Sequence, residues 1–296
     1  MQGADGMAFY LAVANRKGGV GKSTIAVMLA HSFAVWGGQR ILILDLDSQC
    51  NASLILLGGQ AWTEARKARR TIADYFYDLF DGDSVKPAEY LIDGVGDVKD
   101  GKGKAPRLAL LPGSLLLEDV QGELFLKEAR QGKDHEVVGT RVRGKLERLL
   151  RRFAADFDLV ILDCAPGLSF AALAALRAAD KVLVPFRPDY VSQHAVDRVA
   201  LLIEEKRSID DLEELPRSSR RYVCLANCLR GHARERLLVE EIGLVHPMLS
   251  TTLRQRDAIA NALDWDPRPK QLEEKYGDGI QDVRNLYEEM RSLLAA

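Results

Sequence analysis

The sequence predicts an α/β fold, a mostly parallel twisted sheet with helices on both faces. Short apolar runs alternate with helical patterns along most of the chain. The runs are almost continuously hydrophobic, as strands buried on both faces are. In addition, the first apolar run leads through a glycine-rich loop into a helical pattern, which is the context of a phosphate-binding loop. We therefore expect a P-loop nucleotide-binding fold.

The expected elements follow in chain order. Six apolar runs are predicted as strands: Phe9–Ala14, Arg40–Leu44, Leu108–Leu111, Leu159–Leu162, Lys181–Val184 and Tyr222–Ala226. Seven segments have helical spacing: Lys22–Trp36, Leu115–Arg130, Glu136–Ala154, Ser169–Ala178, Ser192–Lys206, Ala233–Ile242 and Gln281–Leu294. Polar, turn-rich composition predicts surface connections at Gly94–Ala105 and Leu212–Arg221. We expect one domain over residues 1–296, with a core at about 8–262 and a C-terminal helical segment at 263–296.

Composition is that of an ordinary globular protein. The 296 residues are 47% hydrophobic and 28% charged, and the net charge of −2 means that nucleic-acid binding would need a local basic patch. No apolar run approaches the length of a membrane span, and residues 1–7 lack the pattern of a signal peptide. We expect a cytoplasmic protein. The four cysteines form no C-x-x-C pair, which argues against zinc and iron–sulfur sites.

The glycine-rich loop carries the strongest functional signal. Its glycines allow backbone N–H groups to approach phosphate oxygens, and the following helix adds the positive end of its dipole. Lys22 can reach the outer phosphates, and Ser23 can offer its hydroxyl to Mg²⁺. The nucleotide-contacting residues that the loop itself predicts are Gly18, Gly19, Val20, Gly21, Lys22, Ser23 and Thr24.

Acidic residues follow two of the predicted strands. Asp45 and Asp47 come after the second strand, and Asp163 ends the fourth. Ligand sites in open α/β sheets gather at the carboxyl ends of strands. Four apolar residues followed by Asp163 form a Walker B pattern, in which the carboxylate holds Mg²⁺.

These motifs together resemble the ParA/MinD family of deviant Walker A ATPases, over roughly residues 8–262. The loop matches K-G-G-x-G-K-[ST], and Arg16 stands where the general motif has glycine. Residues 45–51 resemble D-x-D-P-Q-G-N, with Ser48 and Cys50 replacing proline and glycine, and residues 163–166 resemble D-x-x-P. Residues 252–262 resemble the family's T-I-P-R stretch and its helix.

The resemblance implies roles for individual residues. Lys17 would be the signature lysine that reaches the nucleotide across a dimer interface. Asp47 would orient the attacking water, Asp45 would support the metal shell, and Asn227 would contact the adenine. The resemblance thus implies an Mg²⁺-dependent ATPase with Lys17, Lys22 and Asp47 as catalytic residues. A turn at the end of the strand is an equally good interpretation of Asn227.

Within the family, the sequence is closest to the ParA branch, whose members bind DNA nonspecifically as ATP-bound homodimers. Arg16, the form of residues 45–51 and the acidic residues of the last helix favour this branch over the membrane-binding MinD branch. The resemblance also implies a ParB-like or other adaptor protein that stimulates hydrolysis. The candidate DNA contacts are Arg217, Arg220, Arg221, Arg230, Arg254 and Arg256.

Other interpretations stay open at this point. Each arginine cluster has acidic neighbours and could be a solvated mixed-charge surface. The chain could also position cargo on a membrane or protein surface as MinD does, act as a metabolic enzyme on the same scaffold, or bind nucleotide without turnover. Positioning of a chromosome, a plasmid, a carboxysome or a receptor array would use the same residues.

Overall fold

The computed structural model describes residues 8–80, 86–130, 135–153 and 155–295. The strands are β1 Phe9–Val13, β2 Ile41–Leu46, β3 Ile92–Asp93, β4 Leu108–Leu111, β5 Leu159–Cys164, β6 Lys181–Phe186 and β7 Tyr222–Ala226. The helices are α1 Lys22–Val35, α2 Asn51–Lys67, α3 Ile72–Phe80, α4 Leu117–Ala129, α5 His135–Leu150, α6 Phe170–Ala178, α7 Ser192–Ile203, α8 Ile209–Glu213, α9 Ala233–Val245, α10 Asp257–Asn261, α11 Leu272–Tyr276 and α12 Ile280–Ala295.

The strands of the described residues form one sheet in the order β3-β4-β2-β5-β1-β6-β7. All neighbouring strands run parallel except β3, which pairs antiparallel with β4 at the edge. Every residue of β2 and β5 is buried, because helices cover both faces of the sheet. The predicted α/β class is confirmed.

Each face of the sheet has its own hydrophobic core. One core joins the sheet to α3, α4, α5, α6 and α7. The other joins it to α1, part of α2 and the C-terminal segment that includes α11 and α12. The phosphate-binding loop lies between β1 and α1, so both of its ends are fixed in packed elements.

The predicted strands are confirmed, but three of them continue further than expected. β2, β5 and β6 each extend by two residues, to Leu46, Cys164 and Phe186. The extensions of β2 and β5 take in Asp45 and Asp163, because pairing with neighbouring strands outweighs the low strand preference of an aspartate. The expected helix at Glu136–Ala154 ends as α5 at Leu150, and its last residue lies outside the described ranges.

Sequence patterns missed α2, α3, the short helix α8 and the edge strand β3. Gly58 interrupts α2 with a φ of 71° and a ψ of 164°, so the hydrophobic period breaks within the helix. α3 is short and follows directly on a turn at Arg69, whose φ is 53°. Of these elements α2 matters most for the site, because it begins at Asn51, four residues after Asp47.

The last helix packs on the domain, as its apolar face predicted. Val283, Leu286, Tyr287, Met290 and Leu294 are buried. The Tyr287 ring lies 5.1 Å from Phe33 and 5.4 Å from Trp36, measured between ring centroids. This face of α12 is therefore occupied by α1 and its C-terminal cap.

Replacing Tyr287 by alanine should lower the free energy of unfolding by about 3 kcal/mol, because a buried aromatic ring is lost and a cavity remains. Chemical denaturation measures this. The control is Ser292→Ala on the exposed side of the same helix, which should change stability by less than about 0.5 kcal/mol. Equal effects of the two substitutions would contradict the packing of α12 on α1.

Candidate functional site

The phosphate-binding loop is shaped by glycines in left-handed conformations. Gly19 has a φ of 70° and Gly21 a φ of 88°. Gly21 is the N-cap of α1 and supplies no side-chain cap, so the first N–H groups of the helix remain available to an anion. The local geometry is that of a loop prepared for phosphate.

Asn227 holds this loop from the end of β7. Its Nδ2 donates to the Val20 carbonyl at 2.8 Å, and its Oδ1 accepts from the Cys228 N–H at 2.8 Å. A Cβ at position 21 would lie 2.5 Å from this Nδ2, so glycine is needed there for packing as well as for its φ. The structure gives Asn227 a positioning role, and the adenine contact stays a prediction.

Lys22 lies at the base of the loop and is only 6% exposed. Its Nζ donates to the Lys17 carbonyl at 3.2 Å. Burial lowers the pKa of Lys22, and the nearby Asp163 and Asp47 oppose this shift. The ammonium group is therefore held among carboxylates at the place where phosphate charge would enter.

Strand register brings the acids of β2 and β5 together. Asp45 and Asp163 are direct partners across the two strands. Asp163 is fully buried, and neither of its carboxylate oxygens has a hydrogen-bond partner among the described residues. Burial raises the pKa of Asp163 well above its usual range, and the negative charge of Asp45 adds to this rise. Ser23 and Lys22 lower the pKa of Asp163. Such a carboxylate beside a hydroxyl fits a magnesium site that also uses phosphate and water oxygens.

Asp45, in contrast, is engaged by protein donors. Its Oδ2 accepts from the Ser53 hydroxyl at 2.5 Å and the Ser53 N–H at 2.9 Å, and its Oδ1 accepts from the Asp47 N–H at 3.2 Å. Burial raises its pKa to about 6, and the bonds from Ser53 oppose that rise. This geometry favours a role in shaping residues 47–53 over the predicted direct support of the metal.

Asp47 lines the cleft beside the phosphate-binding loop. The cleft has a volume of about 810 Å³. Asp47 is 5% exposed, and its Oδ1 accepts from the Gln49 N–H at 2.9 Å. Of the predicted nucleotide-contacting residues, the cleft wall includes Gly18, Gly19, Gly21, Lys22, Ser23 and Thr24. The structure thus brings most of the predicted phosphate site to one cavity.

Lys17 is not among the residues that line this cleft, and its side chain contacts another segment. Its Nζ forms an ion pair with the Asp189 carboxylate in the segment after β6. Asp189 also accepts from the Ser192 hydroxyl at 2.9 Å and the Val191 N–H at 3.2 Å. The side chains of Lys17 and Asp189 are 30% and 45% exposed, so this pair lies at the surface.

The predicted DNA-contacting arginines divide into two groups. Arg220 is only 3% exposed, and its guanidinium donates to the carbonyls of Leu215 and Val245. Arg221 donates to carbonyls at the ends of α6 and α7. Both guanidinium groups are bound to carbonyls of this chain, so we correct the prediction that Arg220 and Arg221 contact DNA. Arg217 is exposed but caps the carbonyls at Gly243 and Leu244.

The other arginines line a second cleft of about 1010 Å³ at the end of β7. Arg230 and Arg254 are exposed there, beside Arg236. Arg256 also borders this cleft, but it is paired with Asp282 at 2.7 Å and with Asp278 at 3.2 Å. Arg230 and Arg254 have no carboxylate partner among the described residues, although the Arg230 Nε donates to the Gln255 Oε1 at 2.8 Å.

Sequence reasoning missed residues that contact the site from later segments. Ser53 bridges Asp45 and the Gly113 N–H, to which its Oγ lies at 2.8 Å. Trp265 and Leu263 line the nucleotide cleft from the C-terminal segment. No sequence signal marked Ser53, because it lies on α2, which the hydrophobic pattern did not reveal. Trp265 had no motif to mark it.

No helix in the described part of the chain is both long enough and apolar enough to cross a membrane. No group of three or more histidine, cysteine, aspartate or glutamate side chains converges there as a metal cage. A site of the magnesium type does not need such a cage, since Mg²⁺ is bound through one or two carboxylates and substrate phosphates.

Solved structures resemble this fold along almost the whole chain. Apo McdA from Cyanothece superposes with a TM-score of 0.69 at 18% identity, covering 96% of this chain and 99% of that one. Cobyrinic acid a,c-diamide synthase from Mycobacterium smegmatis, with ADP and magnesium bound, gives 0.67 at 21% identity and covers 98% and 96%. At these identities the likeness shows the fold alone.

Sequence comparison identifies the family. The chromosome partitioning protein ParA of Caulobacter vibrioides is 31% identical over 197 residues, which are 67% of this chain and 62% of that protein. The chain thus spans less than two thirds of that relative. The family model described as an AAA domain matches residues 9–212, more than half of the chain. The chain therefore belongs to this AAA-domain family, within the ParA/MinD group of P-loop ATPases.

Proposed function

We propose that the protein is a ParA-like ATPase that binds ATP, dimerises, and in that state holds DNA nonspecifically to position DNA or another cargo. The main support for the ATP site is the position of Asp163. This buried carboxylate has no hydrogen-bond partner among the described residues and lies beside Lys22 and Ser23. A cation and a phosphate group would satisfy these three side chains at once. Hydrolysis would then reset the switch.

The reaction would be attack of water on the γ-phosphate, releasing ADP and phosphate. Lys22 and the N–H groups at the start of α1 would stabilise the charge that builds on the phosphate oxygens. Asp47 would orient the water from the wall of the same cleft. Ser23 and Asp163 would hold Mg²⁺, which when bound neutralises charge on the β- and γ-phosphates.

The ion pair of Lys17 and Asp189 suggests how dimerisation would be controlled. In the single chain, Lys17 is paired with its own Asp189. To reach the nucleotide of a second copy, Lys17 would have to leave this carboxylate for phosphate. An exposed pair of this kind is worth only about 0.2–1 kcal/mol, so ATP on the partner can compete for the lysine.

DNA would bind at the second cleft. Arg230 and Arg254 present exposed cations there without a carboxylate partner among the described residues. Phosphate attraction of this kind reads no bases and weakens with salt. The bound dimer would be located on the nucleoid. A ParB-like or other adaptor protein would stimulate hydrolysis, and the cargo would follow that adaptor.

The ATP site is tested by Asp163→Asn. In the wild type, Mg²⁺ should add to the thermal stabilisation given by a non-hydrolysable ATP analogue, because a ligand at 100 times its Kd stabilises by about 2.7 kcal/mol. In Asp163→Asn the part that depends on Mg²⁺ should vanish, while the melting temperature without ligand stays equal or rises. Differential scanning calorimetry measures both.

The matched control is Asp264→Asn, which neutralises an exposed carboxylate on the wall of the same cleft. It should keep the full magnesium effect. If Asp163→Asn also keeps it, the assignment of Asp163 to the metal is wrong.

The dimer switch is tested at both ends of the ion pair. Lys17→Ala should abolish dimerisation with the ATP analogue, because the contact across the interface is lost. Asp189→Asn should strengthen dimerisation by up to about fivefold, since Lys17 is released while the acceptor for Ser192 is kept. Sedimentation velocity gives the dimerisation constants, and Asp210→Asn on the exposed part of α8 is the control. Unchanged dimerisation of Lys17→Ala would rule out this switch.

The DNA surface is tested with the double variant Arg230→Ala/Arg254→Ala. Binding of the ATP-bound dimer to unrelated duplexes should weaken equally, and the slope of log affinity against log salt should become shallower by about 4, about 1 for each of the four arginines that the two copies lose. Fluorescence anisotropy at several salt concentrations measures this, with ADP and no nucleotide as comparisons.

The control for charge is Arg207→Ala/Arg268→Ala, which removes two exposed arginines outside the second cleft. Equal loss of DNA affinity in both double variants would mean that net charge, and not this cleft, attracts DNA. Absence of DNA binding by a wild type that dimerises with ATP would overturn the DNA proposal and leave the ATP switch intact.

A further inference from the structure

The nucleotide cleft is the cleft of about 810 Å³ beside the phosphate-binding loop, and its wall has a polar part and an apolar part. Lys22, Ser23 and Asp47 form the polar part that suits phosphate and metal. The remaining wall includes an apolar set contributed by α2 and by the segment after α10: Leu54, Ile55, Leu263 and Trp265. Within this set Trp265 is the aromatic residue, and its side chain is 42% exposed. An accessible indole in a cleft with a phosphate loop has the chemistry to receive a planar base.

We propose that Trp265 is the residue that positions the nucleobase, by stacking the indole on its ring. This inference rests on the proposed binding of ATP in the same cleft, and it adds a specificity residue that none of the sequence motifs contains.

α2 is shaped to accommodate this indole. Gly58 lies against it, and a Cβ there would come within 2.8–2.9 Å of two indole ring atoms. Gly58 also has a φ of 71°, where side chains other than glycine are strained. The same glycine therefore breaks the helix and makes room for Trp265, so the indole is seated in a defined place.

The chain following Trp265 is anchored in the interior. The Asp266 N–H donates to the Asp97 carboxylate at 2.9 Å, and the same oxygen accepts from Lys275 at 2.7 Å. The side chains of Asp97 and Lys275 are only 1% and 3% exposed. A buried ion pair of this kind fixes the backbone immediately beside Trp265, so little further ordering is needed when a base binds.

Asn227, the predicted adenine contact, has a different part in the site. Its Nδ2 donates to the Val20 carbonyl and its Oδ1 accepts from the Cys228 N–H, which positions the phosphate loop. One N–H and one lone pair of the amide stay available to the edge of a base. Stacking on Trp265 uses the face of the base instead, so the two contacts do not compete.

The test compares a ligand that has a base with one that lacks it. Isothermal titration calorimetry would measure the affinity of a non-hydrolysable ATP analogue and of inorganic tripolyphosphate, each with Mg²⁺. Trp265→Ala should lose about tenfold in affinity for the ATP analogue, within the usual range for base stacking on an aromatic ring. Its affinity for tripolyphosphate should stay at the wild-type value. Trp265→Phe should restore most of the affinity for the analogue.

Trp36→Ala is the control for removal of a tryptophan, because Trp36 packs on Tyr287 of α12 away from the cleft. It should leave both affinities unchanged. If Trp265→Ala lost affinity equally for the ATP analogue and for tripolyphosphate, the inference would be overturned, since the indole would then only support α2 and the loop. Wild-type affinity of Trp265→Ala for the analogue would also overturn it, while the ATP site itself would stand. A wild type that binds neither ligand would overturn the proposed function and this inference with it.

Discussion

The site depends on the close approach of carboxylates at the ends of β2 and β5. The parallel register makes Asp45 and Asp163 neighbours, and Asp47 follows two residues later. Both strand residues are fully buried. Like charges in such a place cannot all be ionised without compensation. The protein supplies Lys22 and the Ser53 hydrogen bonds to Asp45, whereas both carboxylate oxygens of Asp163 lack a hydrogen-bond partner among the described residues.

Acids that look equivalent in the sequence therefore have different roles in the structure. Asp45 accepts bonds from the start of α2 and so determines where residues 47–53 lie. Asp163 lies beside Lys22 and Ser23, and neither of its oxygens has a hydrogen-bond partner among the described residues. Burial of a carboxylate without a hydrogen-bond partner costs free energy, so binding of a cation and a phosphate group beside Asp163 would offset that cost.

Much of this could be predicted from the sequence, because the signals are local. Continuous apolar runs identify buried strands, and the glycines and lysine of residues 17–24 identify the loop. The acids at strand ends are predictable since the carboxyl ends of parallel strands meet at one edge of the sheet. The rest depends on contacts between distant segments. Arg220 looks like part of an exposed cluster, but carbonyls at Leu215 and Val245 bury it.

Two connected segments link the nucleotide cleft to the second cleft. After β7, Cys228 borders the first cleft and Arg230 the second. The Gln255 N–H donates to the Leu229 carbonyl at 2.9 Å, which ties this segment to the one that carries Arg254. Short, hydrogen-bonded backbone therefore connects the walls of the two clefts. No sequence pattern shows this link, because it forms between residues that are 26 positions apart.

The departures from the family pattern at Ser48 and Cys50 show how the loop after β2 keeps its shape. Cys50 takes a φ of 54°, the left-handed conformation that glycine would adopt at little cost. Ser48 donates to Glu118 of α4 at 2.7 Å, which restrains the loop without the fixed φ of a proline. The loop after β2 thus lacks the family's proline and glycine, and the hydrogen bond from Ser48 to Glu118 helps to keep its conformation. Because α4 holds Ser48, and Ser53 holds Asp45, the position of Asp47 in the cleft depends on two helices rather than on the loop alone.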